Sequence, residues 1–214
     1  MNGEKFIAVL WVCFFSFLAH AEQPFQNWLT LNLGQRLDYA LEAMVEYENK
    51  WQDDEPTWKE FFLEPSLVWH YSPRYDFAVG YMWTEMHEAQ DNHSWHEAIL
   101  AGTVKLPVKE WKFSSRQRFQ FGSLEDQFTW MFRQLTRVEY DNAWLQRIRP
   151  FIADEWFYDI EEEFLSENRF YGGINYEILP SCMIEIYGMW QSVWMADGMH
   201  RDGPVVGTML QFAF

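Results

Sequence analysis

Large apolar residues and charged or polar residues take turns along most of this chain. In "WKFSSRQRFQF", Trp111, Phe113, Phe119 and Phe121 share one parity, and Lys112, Ser114, Arg116, Arg118 and Gln120 share the other. Side chains of a strand point alternately to its two faces, so this segment is oily on one side and cationic on the other. The two-residue period returns again and again. "LDYALEAMVEY" sets Leu37, Tyr39, Leu41, Val45 and Tyr47 against Asp38, Glu42 and Glu46. "FFLEPSLVWHY" sets Leu63, Leu67, Trp69 and Tyr71 against Glu64, Ser66 and His70. "YDFAVGYMW", "TWMFRQLTRVEY", "RIRPFIADEWFY", "NRFYGGINYEI", "PSCMIEIYGMW" and "VVGTMLQFAF" continue it, while "HEAILAGTVKL" carries apolar residues on both faces and leaves its phase open. No helical stripe competes, and the pattern predicts an all-β chain.

The connections predicted between these strands alternate in length. Short ones fall at Ser72–Arg74, Pro107–Lys109, Asp141–Ala143 and Leu179–Ser181. Longer ones fall at Glu48–Thr57, Glu85–Ser94, Gly122–Gln127, Asp159–Ser166 and Met195–Gly203, several of them acidic ("DDE", "EEE"). Short turns at one rim and longer loops at the other suit a transmembrane barrel. Counting from Leu37 gives about ten strands. Asn27–Leu33 makes an eleventh, and parity asks either for a twelfth or for this segment to tuck against the rim or lumen. The expectation is one up-and-down antiparallel transmembrane β-barrel of 10–12 strands, with both termini at the short-turn rim.

Composition sharpens this picture. Aromatic residues make up 20% of the 214-residue chain, which has 13 Trp, yet after the N-terminal stretch no apolar run is long enough to cross a bilayer as a helix. The net charge of −16 argues against a nucleic-acid partner. "FIAVLWVCFFSFL" followed by "AHA" reads as the apolar core and cleavage site of an export signal, so residues 1–21 are expected to be removed and residues 22–214 to form the barrel domain. Of the two cysteines, only Cys182 would then remain, and no internal disulfide could staple the fold.

A sheet can span hydrocarbon only by closing on itself, because every unpaired backbone group there costs several kcal/mol. Its oily face then meets lipid, where an Arg at the midplane would cost about 2–4 kcal/mol, so the charged face must turn inward. The residues expected to line a polar, Arg/Glu-rich lumen are Glu42, Glu46, Arg116, Arg118, Arg133, Arg137, Glu139, Arg147, Arg149, Glu155, Arg169, Glu177 and Glu185. Mixed signs allow bidentate pairing and fix strand register. The competing fold is a soluble sandwich that buries the aromatic face and exposes the charges.

The order of these segments resembles a bacterial family of unknown function, the domain-of-unknown-function family numbered 2490, whose members are predicted outer-membrane barrels. The resemblance rests on a Trp-led first strand (Trp28), an inward acid (Glu46), "VGYMW" with Gly80 and Tyr81, "RQR" with Arg116 and Arg118, and a second Arg strand with Arg133 and Arg137. "DEWF" (Glu155), "ENRFYGGINY" (Asn168, Arg169, Gly173, Tyr176), Tyr187 and the terminal Phe214 complete it, while His96–Glu97 stands where a Glu-x-Arg pattern is expected. It implies a fold and an address in the bacterial outer membrane, with no activity to carry over. The partners implied are outer-membrane lipid, lipopolysaccharide and the barrel-assembly machinery that reads a terminal Phe strand; the oligomeric state stays open.

Candidate chemistry is thin. His87, His93 and His96 gather near Glu85, Glu88 and Asp91, but a metal site needs convergent ligands, and solvated loop charge is the commoner use of such residues. Lipid hydrolases on barrels use a Ser–His pair; Ser66 with His70 and Ser94 with His96 are the candidates, without a surrounding signature. No catalytic residue, metal or cofactor is assigned. The reading is a narrow or plugged outer-membrane barrel with acidic surface loops; a small channel or porin for small solutes and an outer-membrane lipid hydrolase are its alternatives.

Overall fold

The computed structural model describes residues 26–52, 59–87, 92–124, 127–142, 145, 147–195 and 200–214. The expected export signal, the "DDE" run, Glu88 and Asp91 lie outside the described residues. Eleven strands follow one another: β1 (Gln26–Arg36), β2 (Leu41–Gln52), β3 (Lys59–Ser72), β4 (Tyr75–His87), β5 (Asn92–Val108), β6 (Trp111–Leu124), β7 (Gln127–Tyr140), β8 (Ile148–Asp159), β9 (Phe164–Leu179), β10 (Cys182–Trp194) and β11 (His200–Ala213).

Each strand pairs antiparallel with its sequence neighbours, and the sheet closes into a barrel when β1 meets β11. That closing pair is parallel, from Gln26↔Val205 to Gly34↔Ala213. Eleven strands fall within the expected ten to twelve, but parity favoured an even count with both ends at the short-turn rim, and the described strands instead start at one rim and end at the other. "NWLTLNL" is a full wall strand, because Trp28, Thr30 and Asn32 alternate with Leu29, Leu31 and Leu33 as cleanly as any other segment, and it pairs on both edges. An odd up-and-down barrel can close only through a parallel pair, so β1 starts at one rim and β11 ends at the other. The seam is pinned at its end by Phe214 N–H to Gly34 O (2.9 Å) and Arg36 N–H to Phe214 O (3.1 Å).

Several strands also run further than expected. β2 continues through Glu48 and Lys50, and β9 begins at Phe164, so parts of the supposed long loops belong to the wall. Three connections at the C-terminal rim are two residues long, at 73–74, 109–110 and 180–181. Lys109 in the second of these takes a positive φ of 54°. Pro65 interrupts the β3–β4 ladder, where pairing passes from Leu63↔Trp83 to Ser66↔Gly80, as expected of a residue without an N–H to donate.

Strand phase decides what each face presents. In β5, the segment of open phase, Glu97 and Ile99 are buried while Ala98 and Leu100 are exposed. The outward face is apolar and ring-rich: Trp69 (50% exposed), Phe77 (49%), Phe119 (43%), Trp156 (52%) and Phe170 (53%) all lie on it. The competing sandwich would have buried these rings. Neighbouring rings pair across strands, as in Phe119–Phe132 (centroids 5.1 Å apart) and Phe121–Trp130 (5.0 Å). Inside, Trp28, Phe151, Ala153, Tyr187, Met189 and Val205 form a buried cluster. Gly207 on β11 lies directly opposite Tyr187, and a Cβ built there would fall into the Tyr187 ring. Only a residue without a side chain admits the ring there.

Candidate functional site

Side chains on strands that are not neighbours can touch only across the barrel interior. Many of the charged residues do so. Arg137 on β7 forks onto Glu185 on β10, with Nη2 donating to Oε2 (2.8 Å) and Nη1 to Oε1 (3.3 Å). Arg118 on β6 reaches Glu64 on β3 (2.8 Å). Asn175 Nδ2 on β9 donates to Glu139 Oε2 on β7 (2.7 Å). These bonds strut the interior from wall to wall.

Glu155 is the hub. Its side chain is 5% exposed, and three guanidinium groups converge on it: Arg133 at 3.0 Å, Arg116 at 3.6 Å and Arg169 at 3.9 Å. Arg169 also pairs with Glu167, and Arg133 Nη1 donates to Gln120 Oε1 (3.4 Å), whose amide donates in turn to Glu97 Oε2 (3.2 Å). Toward the C-terminal rim, Arg149 joins Glu177 (3.3 Å) and Glu139 (3.9 Å). Toward the opposite rim, Lys50 pairs with Glu60 (2.6 Å) and Glu48 (3.5 Å), and Thr30 Oγ1 donates to Glu48 (2.9 Å). Glu46 accepts from Asn32 Nδ2 (3.3 Å), and Glu42 holds His70 Nε2 (3.0 Å), whose Nδ1 meets Asp76 (3.0 Å).

Aromatic faces carry the cations that the carboxylates leave room for. Arg137 lies 3.6 Å above Phe151, Arg133 and Arg169 both lie 4.3 Å from the Phe157 ring, and Lys50 and Arg169 lie 4.5 and 4.7 Å from the Trp28 ring. A guanidinium stacked on a ring and forked onto a carboxylate has few free rotamers, which makes the arrangement stiff. The remaining space is divided. A cavity of about 530 Å³ occupies the middle, one of about 330 Å³ lies toward Gln26, and one of about 340 Å³ lies beside Pro73 and Lys112. Arg137 and Glu139 line both the middle and the last of these, while Trp28, Lys50 and Arg169 line the first two, so charged side chains stand at each junction.

Twelve of the thirteen residues expected from sequence in the interior lie on β2 and on β6 to β10. Arg147 does not. It sits in the turn before β8, exposed, with Nη1 donating to Ile178 O (3.1 Å), so its place is the rim. It stands one residue before β8, which starts at Ile148, and its carbonyl still accepts from Glu177 N–H on β9 (3.0 Å). Sequence reasoning missed Glu48, Lys50, Glu60 and Glu97, while Glu64 and Gln120 stood on the polar parity of their segments without being carried into the expected lining. For Glu48 and Lys50 the signal was present, since they continue the parity of Glu42 and Glu46. The assumed loop boundary hid them.

The hydrolase candidates are not paired. Ser94 Oγ accepts from Trp83 Nε1 (3.1 Å), and His96 Nδ1 meets Tyr81 Oη (2.5 Å), so each is bound to an aromatic of β4. His70 has both ring nitrogens held by carboxylates. The three histidines expected on one loop stand on strand ends instead, His87 on β4 and His93 and His96 on β5, with His87 Nδ1 against Asn92 Oδ1 (2.9 Å). No group of three or more metal-ligating side chains gathers among the described residues. "EEE" is an exposed turn whose first two N–H groups bond Asp159 Oδ1 (3.0 Å each).

A closed all-β barrel of eleven up-and-down strands, braced inside by Arg–Glu pairs and clad outside in rings, defines the class of protein. The chain belongs to the family described as "Protein of unknown function (DUF2490)", whose pattern matches residues 25–201. No curated protein matches it. Among the described residues no helix is long and apolar enough to cross a membrane, a statement that does not bear on strands.

Proposed function

We propose that this chain is a bacterial outer-membrane barrel whose lumen is closed to all but the smallest solutes by its own ion-paired struts, with acidic loops at the rim opposite the C-terminus. The observation that carries the reading is the division of the wall. Rings and branched aliphatics are exposed over the outer face, while the charges meet one another across the interior. In water such a surface would be an aggregation hazard, since soluble monomers rarely expose large contiguous apolar patches. Against hydrocarbon it is the low-energy arrangement. Lipid and lipopolysaccharide are then the surroundings of the wall, and the Phe214-ended β11 is the segment offered to the assembly machinery.

Membrane fractionation combined with a heat-modifiability gel tests this. The chain should partition with the outer membrane and migrate as a compact species until boiled. A polypeptide that stays monodisperse in detergent-free buffer refutes it. The channel reading draws on the three cavities, which share lining residues along the barrel. Planar-bilayer recording separates the two: closed struts give no steps or very small ones, and large open steps favour the channel.

A further inference from the structure

A polar patch interrupts the apolar outward face at mid-wall. Ser115 and Gln117 sit in the middle of the fourteen-residue β6, on the same face as Phe113 and Phe119. On β7 the register places Thr136 opposite Ser115 and Gln134 opposite Gln117, and on β8 it places Asp154 opposite Thr136. Five polar side chains therefore adjoin one another at mid-wall. The corresponding stretch farther round the wall, on β2 to β4, is apolar, with Val45, Leu67 and Val79 exposed.

The patch is bonded within itself, but only in part. Gln117 Nε2 donates to Ser115 Oγ (2.9 Å) and to Gln134 Oε1 (3.1 Å), and Gln134 Nε2 donates to Ser115 Oγ (2.7 Å). Asp154 accepts from Trp156 Nε1 (2.5 Å) and from Asn168 Nδ2 (2.9 Å). In these bonds the Ser115 hydroxyl donates nothing, one Gln134 N–H is unused, and Gln117 Oε1 accepts nothing. A carboxylate has further lone pairs beyond two. The spare donors thus lie on β6 and β7, while the charged acceptor lies on β8.

From this we infer that the β6–β8 wall pairs with the same wall of a second copy, making a twofold dimer within the membrane. The inference rests on the membrane reading above. Lipid chains offer no hydrogen-bond partner, and polar groups at mid-depth are what hold membrane segments together. A twofold axis along the membrane normal beside β7 sets β6 of each copy against β8 of the other, because an isologous contact exchanges the two sides of the patch. The acidic strand of one copy then faces the strand of its partner that carries Ser115 and Gln117, and the two Asp154 carboxylates stay apart. Both Gln side chains carry donor and acceptor, so the patch complements itself without needing a basic partner.

The full-length chain, extracted in mild detergent and returned to lipid nanodiscs, gives the test. The wild type should have the mass of two copies. Thr136→Cys in a Cys182→Ser background should form a disulfide-linked dimer, while Leu67→Cys on β3 should not. Gln117→Leu/Gln134→Leu should weaken the dimer by roughly tenfold or more, given that interhelical polar bonds in membranes each contribute about half a decade. Its heat-modifiable compact band should persist, because an apolar side chain suits lipid. A membrane-embedded wild type of single-copy mass, a double-Leu variant that dimerises unchanged, or a mass that includes a different protein overturns the pairing and leaves the barrel reading standing. A chain found only in the aqueous fraction overturns both.

Discussion

Replacing Glu155 with Gln keeps the volume at the hub and removes its charge. Three guanidiniums then face one another around a neutral amide. At an effective dielectric of about 20, the contacts at 3.0, 3.6 and 3.9 Å correspond to gross attractions of about 6, 5 and 4 kcal/mol. Desolvation of the four groups offsets most of this, and the net figure to use is that for breaking a buried pair from one side, about 3–5 kcal/mol. Arg169 keeps Glu167 and Arg133 keeps Gln120, so the loss falls most heavily on Arg116, which has no other ion pair among the described residues. The Arg116 side chain is 36% exposed, which places the expected cost at the lower end, about 3 kcal/mol. The assay is a urea titration in lipid vesicles, read as the fraction of compact species on an unboiled gel. Such a loss moves the folded-to-unfolded ratio by about two decades. Glu155→Gln/Arg116→Gln should recover part of it, because removing an unpaired cation is a gain once its partner has gone. If Glu155→Gln lies within about 0.5 kcal/mol of the wild type, the hub does not brace the barrel and the reasoning fails.

Phe119→Arg puts a cation on the outward face and should cost about 2–4 kcal/mol in vesicles if that face meets hydrocarbon; a neutral result would mean water lies there. Gly207→Ala should destabilise the β10–β11 pairing by about 1–3 kcal/mol because its Cβ would enter the Tyr187 ring, and Gly207→Ala/Tyr187→Ala should be milder than the two single losses added, as measured by the same titration. Arg137→Ala/Glu185→Ala removes a strut from the junction of two cavities and should raise single-channel conductance above the wild-type level; unchanged recordings would show that the strut does not limit the passage. Cysteines placed at Glu162 and Lys109 lie at opposite rims, so a membrane-impermeant thiol reagent on intact cells should label Glu162→Cys and spare Lys109→Cys, and the reverse pattern would invert the proposed orientation.

The period-2 pattern by itself determined most of the wall. Alternation in β6 assigned Arg116 and Arg118 to one face and Phe113 and Phe119 to the other, and no helical arrangement could have kept those sets apart. It also made Glu155 and Arg133 candidates for the same interior, because their parity excludes the oily side. What alternation could not supply was anything that depends on how strands meet. Register is a relation between two segments, so the parallel β1–β11 closure, the odd strand count and the exit of Arg147 to the rim were decided only when the sheet closed. The convergence of Arg116, Arg133 and Arg169 on one carboxylate is likewise set by the curvature that brings β6, β7, β8 and β9 around a shared centre. The same holds for the mid-wall patch: Ser115 and Gln117 look like lapses in an oily face until Gln134, Thr136 and Asp154 are laid beside them. A one-dimensional pattern fixes which face a side chain takes, and only three-dimensional closure fixes its neighbours, because neighbours in a barrel come from residues far apart in the chain.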